Sequence, residues 1–538
     1  MRRLSELCTS LTTSSDRLLP EPLPTGKADC VLTTLTYDSR ACTENCAYFA
    51  FNGIHTDGSL FIEEAIAKGA KLIVCEKEPQ TMAMNVQYLV TNHPRRMFAK
   101  FSAAWFDYPA NGLRLIGVTG TDGKSSTCDF LWQLLRACGV HAGLLGTVTM
   151  DDGSTHGPSP YRQSTPEAFE IQAFLARCRD NGLATVILET TSHALSTEYD
   201  RLAGLEYHCA IYTSITTEHL EFHKSLGAYV DAKLNLARRM TGDALLVFPE
   251  DNAYAPQIRS AGTHAKITRT CAVLPSTVEI VSPTAPAERQ AQRKTADLCA
   301  TVVEADMDGC RFTLSGPVWR GAPTTIHSFP MGPAFFLKNA LEALLAANFI
   351  TQKPMEELVP LLQDIKRVSG RFNLVPNTLG FTIVVDFAHT ADAFYNLMSE
   401  VRKLAPRARM LAVFGAAGER DSSKRAPMGR EAARWCDVLY ITDEDPRNEP
   451  PMAILEEIAS GIPKELARRR EIHLIPDRTK AIAEALSAAR EGDVVLFLGK
   501  GHEQSIEYAQ GRKIPWNETQ TIEREITRLT SCKESCFL

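Results

Sequence analysis

The run Leu115-Ile116-Gly117-Val118-Thr119-Gly120-Thr121-Asp122-Gly123-Lys124-Ser125-Ser126-Thr127 constrains this chain more than any other. Its apolar first half predicts a buried strand. Residues 124–138 then place Phe130, Leu131, Leu134 and Leu135 on one helical face. Between the two, Gly120 and Gly123 let the backbone curl with its N–H groups turned inward, which cradles phosphate oxygens. Lys124 supplies a point charge for the outer phosphates, and Ser125 a hydroxyl for Mg²⁺. The order strand, loop, helix predicts an ATP- or GTP-binding α/β domain. The run departs from G-x-x-x-x-G-K-[ST] at one place, where Val118 stands instead of glycine. An ordinary strand–turn–helix corner is the competing reading.

At 538 residues the chain is long enough for about three domains. A net charge of −6 gives no reason to expect nucleic-acid binding. No apolar run approaches the ~20 residues of a membrane span, and residues 1–13 hold no secretory apolar core. The fifteen cysteines are scattered singly, as at Cys75, Cys138 and Cys209, which fits buried thiols in a reducing cytoplasm. Cys536-Phe537-Leu538 falls one residue short of a prenylation box.

Three blocks separate along the chain, at residues 1–112, 113–371 and 372–538. The first predicts strands at 47–51, 71–75 and 88–90 and a helix near 61–68. The second begins at the nucleotide strand, continues with strands at 185–189, 210–213 and 244–248, and is strand-rich over 265–330 before a helix at 338–347. The third alternates strands at 382–385, 410–414, 438–442, 473–475 and 494–498 with four helices. The expected fold is α/β. A small N-terminal α/β domain precedes a central parallel-sheet ATPase domain with a β-rich part, and a doubly wound, Rossmann-like domain follows.

Ligands of such sheets bind beyond the carboxyl ends of strands, and polar clusters stand at those places. Glu189-Thr190-Thr191-Ser192-His193 ends one strand, where a carboxylate beside a phosphate loop meets Mg²⁺. Another strand leads to Glu218-His219-Leu220-Glu221-Phe222-His223, whose two imidazoles are spaced as on one helix face. Surface histidines explain that spacing equally well. Lys233, in Tyr229-Val230-Asp231-Ala232-Lys233, reads by spacing alone as a solvated helix lysine. The third block offers Asp386-Phe387-Ala388-His389-Thr390, Gly415-Ala416-Ala417-Gly418-Glu419-Arg420-Asp421, Asp443-Glu444-Asp445-Pro446-Arg447 and Gly499-Lys500-Gly501-His502-Glu503. Four such loops at the ends of adjacent strands form one polar site.

In order and spacing, these clusters resemble those of the Mur ligases. Near the start, Tyr37-Asp38-Ser39-Arg40 and Gly53-Ile54-His55-Thr56-Asp57-Gly58 resemble the family's uridine-nucleotide domain. The resemblance implies a reaction. ATP phosphorylates the D-glutamyl carboxylate of UDP-N-acetylmuramoyl-L-alanyl-D-glutamate, and the amine of a third, diamino acid attacks the acyl phosphate. It also implies roles. Gly120, Thr121, Asp122, Gly123, Lys124, Ser125 and Ser126 match the ATP loop. Ser125 and Glu189 match ligands of one Mg²⁺, and His219 of a second. Lys233 matches a lysine that carries a carbamate, an anion able to hold Mg²⁺. Ser39, Ser164, Thr165, Thr191 and Arg201 match contacts to the nucleotide–sugar. Asn339, Arg371 and Asp386 match contacts to the adenine nucleotide. Arg420, Asp445, Arg447, Gly499 and Glu503 match the pocket for the incoming amino acid.

The chain departs from the family pattern in several places. Asp122 replaces an asparagine, Phe336 the first Asn of an F-N-x-x-N turn, Asn373 a glutamate and Ala391 a proline. The stretch between His193 and Arg201 is about two residues longer. Asp445 replaces the asparagine of the Asp-Asn-Pro-Arg run found where meso-diaminopimelate is used. Because Arg447 can pair with Asp445, L-lysine or L-ornithine is the favoured substrate and meso-diaminopimelate the alternative. Two other readings compete: a folylpolyglutamate-synthetase-like ligase, which lacks a separate uridine-nucleotide domain, and a non-catalytic nucleotide-binding relative.

Overall fold

The structure is a computed structural model and describes residues 1–13, 29–53, 57–161, 163–216, 220–275 and 295–536. The chain forms two compact units. One gathers residues 1–124, 135–248 and 252–269, and the other residues 125–134, 249–251 and 270–538.

The first unit holds two sheets. The smaller is parallel and four-stranded, in the order β1 (Leu35–Thr36), β2 (Ala47–Phe49), β3 (Leu72–Cys75), β4 (Gln87–Val90). Phe49 meets Phe98 and Phe101 of helix Pro94–Trp105 edge-on at 5.0 and 5.5 Å, which fastens the helix to one face.

The larger sheet is built on β5 (Arg114–Thr119). Its neighbours in this unit are β6 (Ala142–Leu145), β7 (Thr149–Asp151), β8 (His156–Pro158), β9 (Thr185–Glu189), β10 (Tyr207–Tyr212) and β11 (Met240–Pro249). The strand order is β8-β7-β6-β9-β5-β10-β11. The pairs from β6 to β11 are parallel, and β7 and β8 extend the edge antiparallel. Leu115, Ile116 and Val118 are all buried, because parallel strands are covered on both faces and so read as continuous apolar runs. Gly117 breaks that run for a reason of packing. A Cβ there would lie 2.4 Å from Leu236 Cδ1. Its absence lets helix Leu226–Arg238, which carries Lys233, settle against the nucleotide strand.

The second unit contains β12 (Ile267–Leu274), β13 (Leu298–Ala305), β14 (Cys310–Ser315) and β15 (His327–Phe329), paired in sequence. Its other sheet runs β16 (Asn373–Leu374), β17 (Thr382–Asp386), β21 (Val494–Leu498), β18 (Met410–Phe414), β19 (Val438–Ile441), β20 (Glu471–Leu474). All of its pairs are parallel except the short edge strand β16. Helices cover it, and a hairpin of β22 (Ser505–Tyr508) and β23 (Arg512–Pro515) follows. A buried fork joins Arg478 to Glu518 and to the carbonyls of Asp443 and Leu498, at the ends of the strands where polar loops leave the sheet.

Helix Ala334–Thr351 packs inside the second unit. At 18 residues it is long and apolar enough to cross a membrane, yet 67% of it is buried inside the protein. It is a core helix, mostly apolar because it is largely surrounded, with Lys338, Asn339 and Glu342 among the polar exceptions.

Candidate active site

In the first unit the nucleotide loop is fastened from the segment after β10. Thr121 N–H donates to the Ser214 carbonyl at 2.6 Å, and Asp122 N–H to Ser214 Oγ at 3.0 Å. Thr213 Oγ1 donates to the Asp122 carbonyl at 2.5 Å. Gly120 cannot be larger, since a Cβ would sit 1.8 Å from Thr213 Oγ1. Gly123 takes a left-handed φ of 88°, which only glycine adopts without strain. Thr121 Oγ1 lies 2.8 Å from Tyr229 OH and accepts from Thr216 N–H at 2.9 Å.

Two lysines converge on this loop. Lys124 Nζ donates to the carbonyls of Gly120 and Thr121 at 3.1 and 2.8 Å. Lys233 Nζ donates to the same Gly120 carbonyl at 2.6 Å and stands 4.6 Å from the Tyr229 ring centre. Only 1% of Lys233 is exposed. It is therefore not a solvated helix lysine. Tyr229 precedes it by four residues on the same helix face, a spacing legible in the sequence that singled out neither residue.

Glu189, 2% exposed, pairs in register with Val118 and accepts from Thr147 N–H at 3.0 Å. It therefore lies at the carboxyl end of the strand beside the loop strand, where it offers the hard oxygen donor that Mg²⁺ takes. Beyond it, Thr165 Oγ1 donates to the Glu189 carbonyl at 2.8 Å and accepts from Thr191 N–H at 3.0 Å. Arg201 donates to the Thr165 carbonyl and pairs with Glu167 at 2.8 Å. Thr165, Thr191 and Arg201 thus form one linked group, and half-buried Ser164 adjoins it in the chain. Arg95, between the rings of Phe51 and Tyr199 at 4.1 Å each and 3.5 Å from Glu167, belongs to the same neighbourhood. No motif marked it.

Ser39, in the 3₁₀ turn Ser39–Ala41, donates to Glu64 at 2.9 Å. His223 is buried and lies 3.0 Å from Ser192 Oγ, with its ring against those of His193 and Tyr229. His219 lies outside the described residues, as do Ile54, His55 and Thr56.

In the second unit Ser125 and Ser126 are buried at the start of the nucleotide helix. Arg371 Nη2 is 3.5 Å from Ser125 Oγ, and its guanidinium stands 4.7 Å from the Phe387 ring centre. Asp386 accepts from the N–H groups of Phe372 and Ala388 at 2.8 and 2.7 Å. Burial pushes its carboxyl up, and Arg371 and those two N–H groups oppose the shift. Asn339 is buried on helix Ala334–Thr351. Phe336 packs near Phe130 and Phe372, at 6.4 and 6.1 Å between ring centres. The departure from asparagine there replaces a polar turn with core.

The four loops of the last sheet do come together. Asp445 Oδ1 accepts from Lys500 Nζ at 2.9 Å and from Glu507 N–H at 3.0 Å, and Lys500 also meets Glu503 at 2.6 Å. Lys500 is fully buried, and these carboxylates hold its ammonium above the usual lysine range against its burial. Arg447 donates to the Gly418 carbonyl at 2.9 Å and lies 3.7 Å from Glu507. The pairing of Arg447 with Asp445 is therefore corrected: Lys500 takes Asp445, and Arg447 turns to Glu507. Lys500 stands inside a motif the sequence singled out, but its role as the buried cation depends on tertiary packing. Gly499 has a φ of 97°, and a Cβ there would lie 2.9 Å from Glu444 Oε2, a buried oxygen with no hydrogen-bond partner. Arg420 is exposed.

Residues 31–105, 118–347 and 370–501 match, in turn, the Mur ligase family catalytic domain, the Mur ligase middle domain and the Mur ligase glutamate ligase domain. The UDP-N-acetylmuramyl-tripeptide synthetase of Borreliella afzelii (strain PKo) is 35% identical over 94% of this chain and 95% of its own length. The chain belongs to the Mur ligase family. It is an ATP-dependent, ADP-forming amide ligase of peptidoglycan precursor synthesis. The UDP-N-acetylmuramoyl-L-alanyl-D-glutamate--2,6-diaminopimelate ligase of Geobacillus kaustophilus (strain HTA426) is 33% identical over 89% of this Mur ligase and 91% of that protein. A solved structure with the same enzyme name has the same fold, with a TM-score of 0.57 and 24% identity over 93% of this chain and 95% of its own.

Asp122 is exposed on the loop of this Mur ligase. Asp122→Asn is expected to keep or tighten ATP binding, because it removes a like charge near the phosphates. A nucleotide titration checks this. A loss above about tenfold, ~1.4 kcal/mol, would give Asp122 a positive role.

Proposed function

We propose that this Mur ligase adds a basic diamino acid, L-lysine or L-ornithine, to UDP-N-acetylmuramoyl-L-alanyl-D-glutamate in the cytoplasm. Residues 1–112 would take the uridine nucleotide, 113–371 ATP, and 372–538 the incoming amino acid. The γ-phosphoryl group of ATP passes to the D-glutamyl carboxylate. The amine of the amino acid then attacks the acyl phosphate, forming the amide and releasing phosphate. Lys124 neutralises the charge of the transferring group.

Ser125, Glu189 and His219 would hold Mg²⁺, which supplies charge neutralisation at the phosphates when bound. Lys233 fits a carbamate. A carbamate keeps one N–H, and the Gly120 carbonyl at 2.6 Å accepts one. Ser39, Ser164, Thr165, Thr191 and Arg201 would bind the nucleotide–sugar, and Asn339, Arg371 and Asp386 the adenine nucleotide.

The choice of amino acid rests on one observation. Around Lys500 and Arg447 stand four carboxylates, Glu444, Asp445, Glu503 and Glu507, and Glu444 keeps a buried, unpartnered oxygen. The unpartnered Glu444 oxygen would take a distal ammonium and repel a distal carboxylate. Burial pushes the Glu444 carboxyl up, and a bound ammonium would relieve that. The second reading, meso-diaminopimelate, draws on Arg447 itself and on relatives named as diaminopimelate ligases. With the three acceptors compared side by side, kcat/KM is expected to favour L-lysine or L-ornithine by about tenfold or more, ~1.4 kcal/mol. A tenfold preference for meso-diaminopimelate would overturn the assignment.

A further inference from the structure

A carboxylate that no motif singles out lies beneath the nucleotide helix. Glu342, on helix Ala334–Thr351, is fully buried. Its Oε2 accepts from Thr127 Oγ1 at 3.0 Å, and its Oε1 has no hydrogen-bond partner among the described residues. Thr127 lies two residues after Ser125, in the first turn of the helix that leaves the phosphate loop. Asn339 lies three residues before Glu342 on the same face of its own helix. The Thr127–Glu342 bond therefore ties the helix that begins the nucleotide site to the helix that carries Asn339.

The charged and titratable groups facing Glu342 are few. Lys338, one turn earlier on the same helix, pairs with Asp251 at 3.6 Å. Asp251 itself raises the cost of a second anion, and the fully buried Cys271 thiol faces it from β12. Among the described residues no cation hydrogen-bonds to Glu342. An ionised carboxylate there would keep a buried, unpaired oxygen, whereas the protonated acid has the same shape and no charge to desolvate.

We propose that Glu342 is a positioning residue for ATP, holding the nucleotide helix in register with the Asn339 helix as an uncharged carboxylic acid. The proposal rests on the assignment of ATP to the Lys124 loop. Burial supports it, pushing the Glu342 carboxyl up to about 8, with Lys338 and Thr127 opposing. The sign follows from linkage. The unfolded chain holds this proton only below the ordinary carboxylate range, so the folded state's advantage is full at pH 4. That advantage is lost as pH rises toward 8, above which the folded site must carry the charge.

The test compares Glu342→Ala, Glu342→Gln and the wild type, with ADP affinity and steady-state kinetics measured from pH 6 to 9. Glu342→Ala is expected to raise KM for ATP about fivefold or more at pH 7 with kcat within about twofold, and Glu342→Gln to restore KM. Between pH 7 and 9 the wild-type Kd for ADP should rise several-fold beyond that of Glu342→Gln, whose melting temperature should exceed the wild type's by a margin that grows from pH 5 to 8. Equal pH profiles for ADP in the wild type and Glu342→Gln would overturn the proposal, even if Glu342→Ala fails to fold. Unchanged ADP affinity in Lys124→Ala would instead overturn the loop assignment, which separates the two failures.

Discussion

Lys124→Ala is expected to lose ligation by a factor of about 10² to 10³ or more in kcat, with the fold retained. The size follows from what the side chain does. The transferring phosphoryl group carries charge over three oxygens, and a fixed cation in a dry loop stabilises that charge when it peaks. Retention of the fold follows from what the side chain touches. Among the described residues Lys124 Nζ donates to the carbonyls of Gly120 and Thr121, and the loop has its own bonds to Thr213, Ser214 and Tyr229. Circular dichroism and melting temperature check the fold, and coupled ADP release the activity. Wild-type turnover in this variant would remove the loop from the mechanism.

Lys233→Ala is expected to cost about 10² or more in kcat and to regain part of it when short carboxylic acids are added. A bare ammonium at this site would be a cation on a loop carbonyl, and no carboxylic acid would replace it. A carbamate is an anion, and an added carboxylate in the cavity left by alanine supplies the same charge. The two cases thus separate by the sign of the response to added acid. Full activity without additive would return Lys233 to a purely structural role. Because Lys233 is buried, melting temperature is measured alongside, and rescue that leaves it unchanged points to chemistry rather than refolding.

Much of the architecture is legible in the residues, for a physical reason. Strands Thr185–Glu189, Met410–Phe414 and Val494–Leu498 have the bounds that their patterns predict, because parallel strands buried on both faces are apolar runs with abrupt polar ends. Helix Ala334–Thr351 runs past the expected 338–347 at both ends. Largely surrounded by core, it has too few exposed polar residues to mark its limits. The hairpin from Ser505 to Pro515 escapes notice because its second strand is exposed throughout and has no apolar alternation. Within the site, residues in loops of unusual composition could be found, as at Gly120, Lys124 and Gly499. Residues whose role is a buried partnership could not. Lys500 beneath Asp445, Tyr229 against Thr121 and Glu342 beneath Thr127 depend on packing between segments far apart in the chain. The swap of partners at Arg447 has the same origin, since Lys500 reaches Asp445 from the end of a strand two places away in the sheet.

The proposed coupling of ATP cleavage to amide formation on a muramyl dipeptide has a direct test. The most direct measurement is ADP release with mass analysis of the product, run with UDP-N-acetylmuramoyl-L-alanyl-D-glutamate and L-lysine, L-ornithine or meso-diaminopimelate together, with each alone, and with a folate acceptor and glutamate. ADP and UDP-muramyl-tripeptide are expected in equal amounts, and only when the dipeptide and the amino acid are both present. ADP release with the folate acceptor, or none in any mixture, would contradict that coupling.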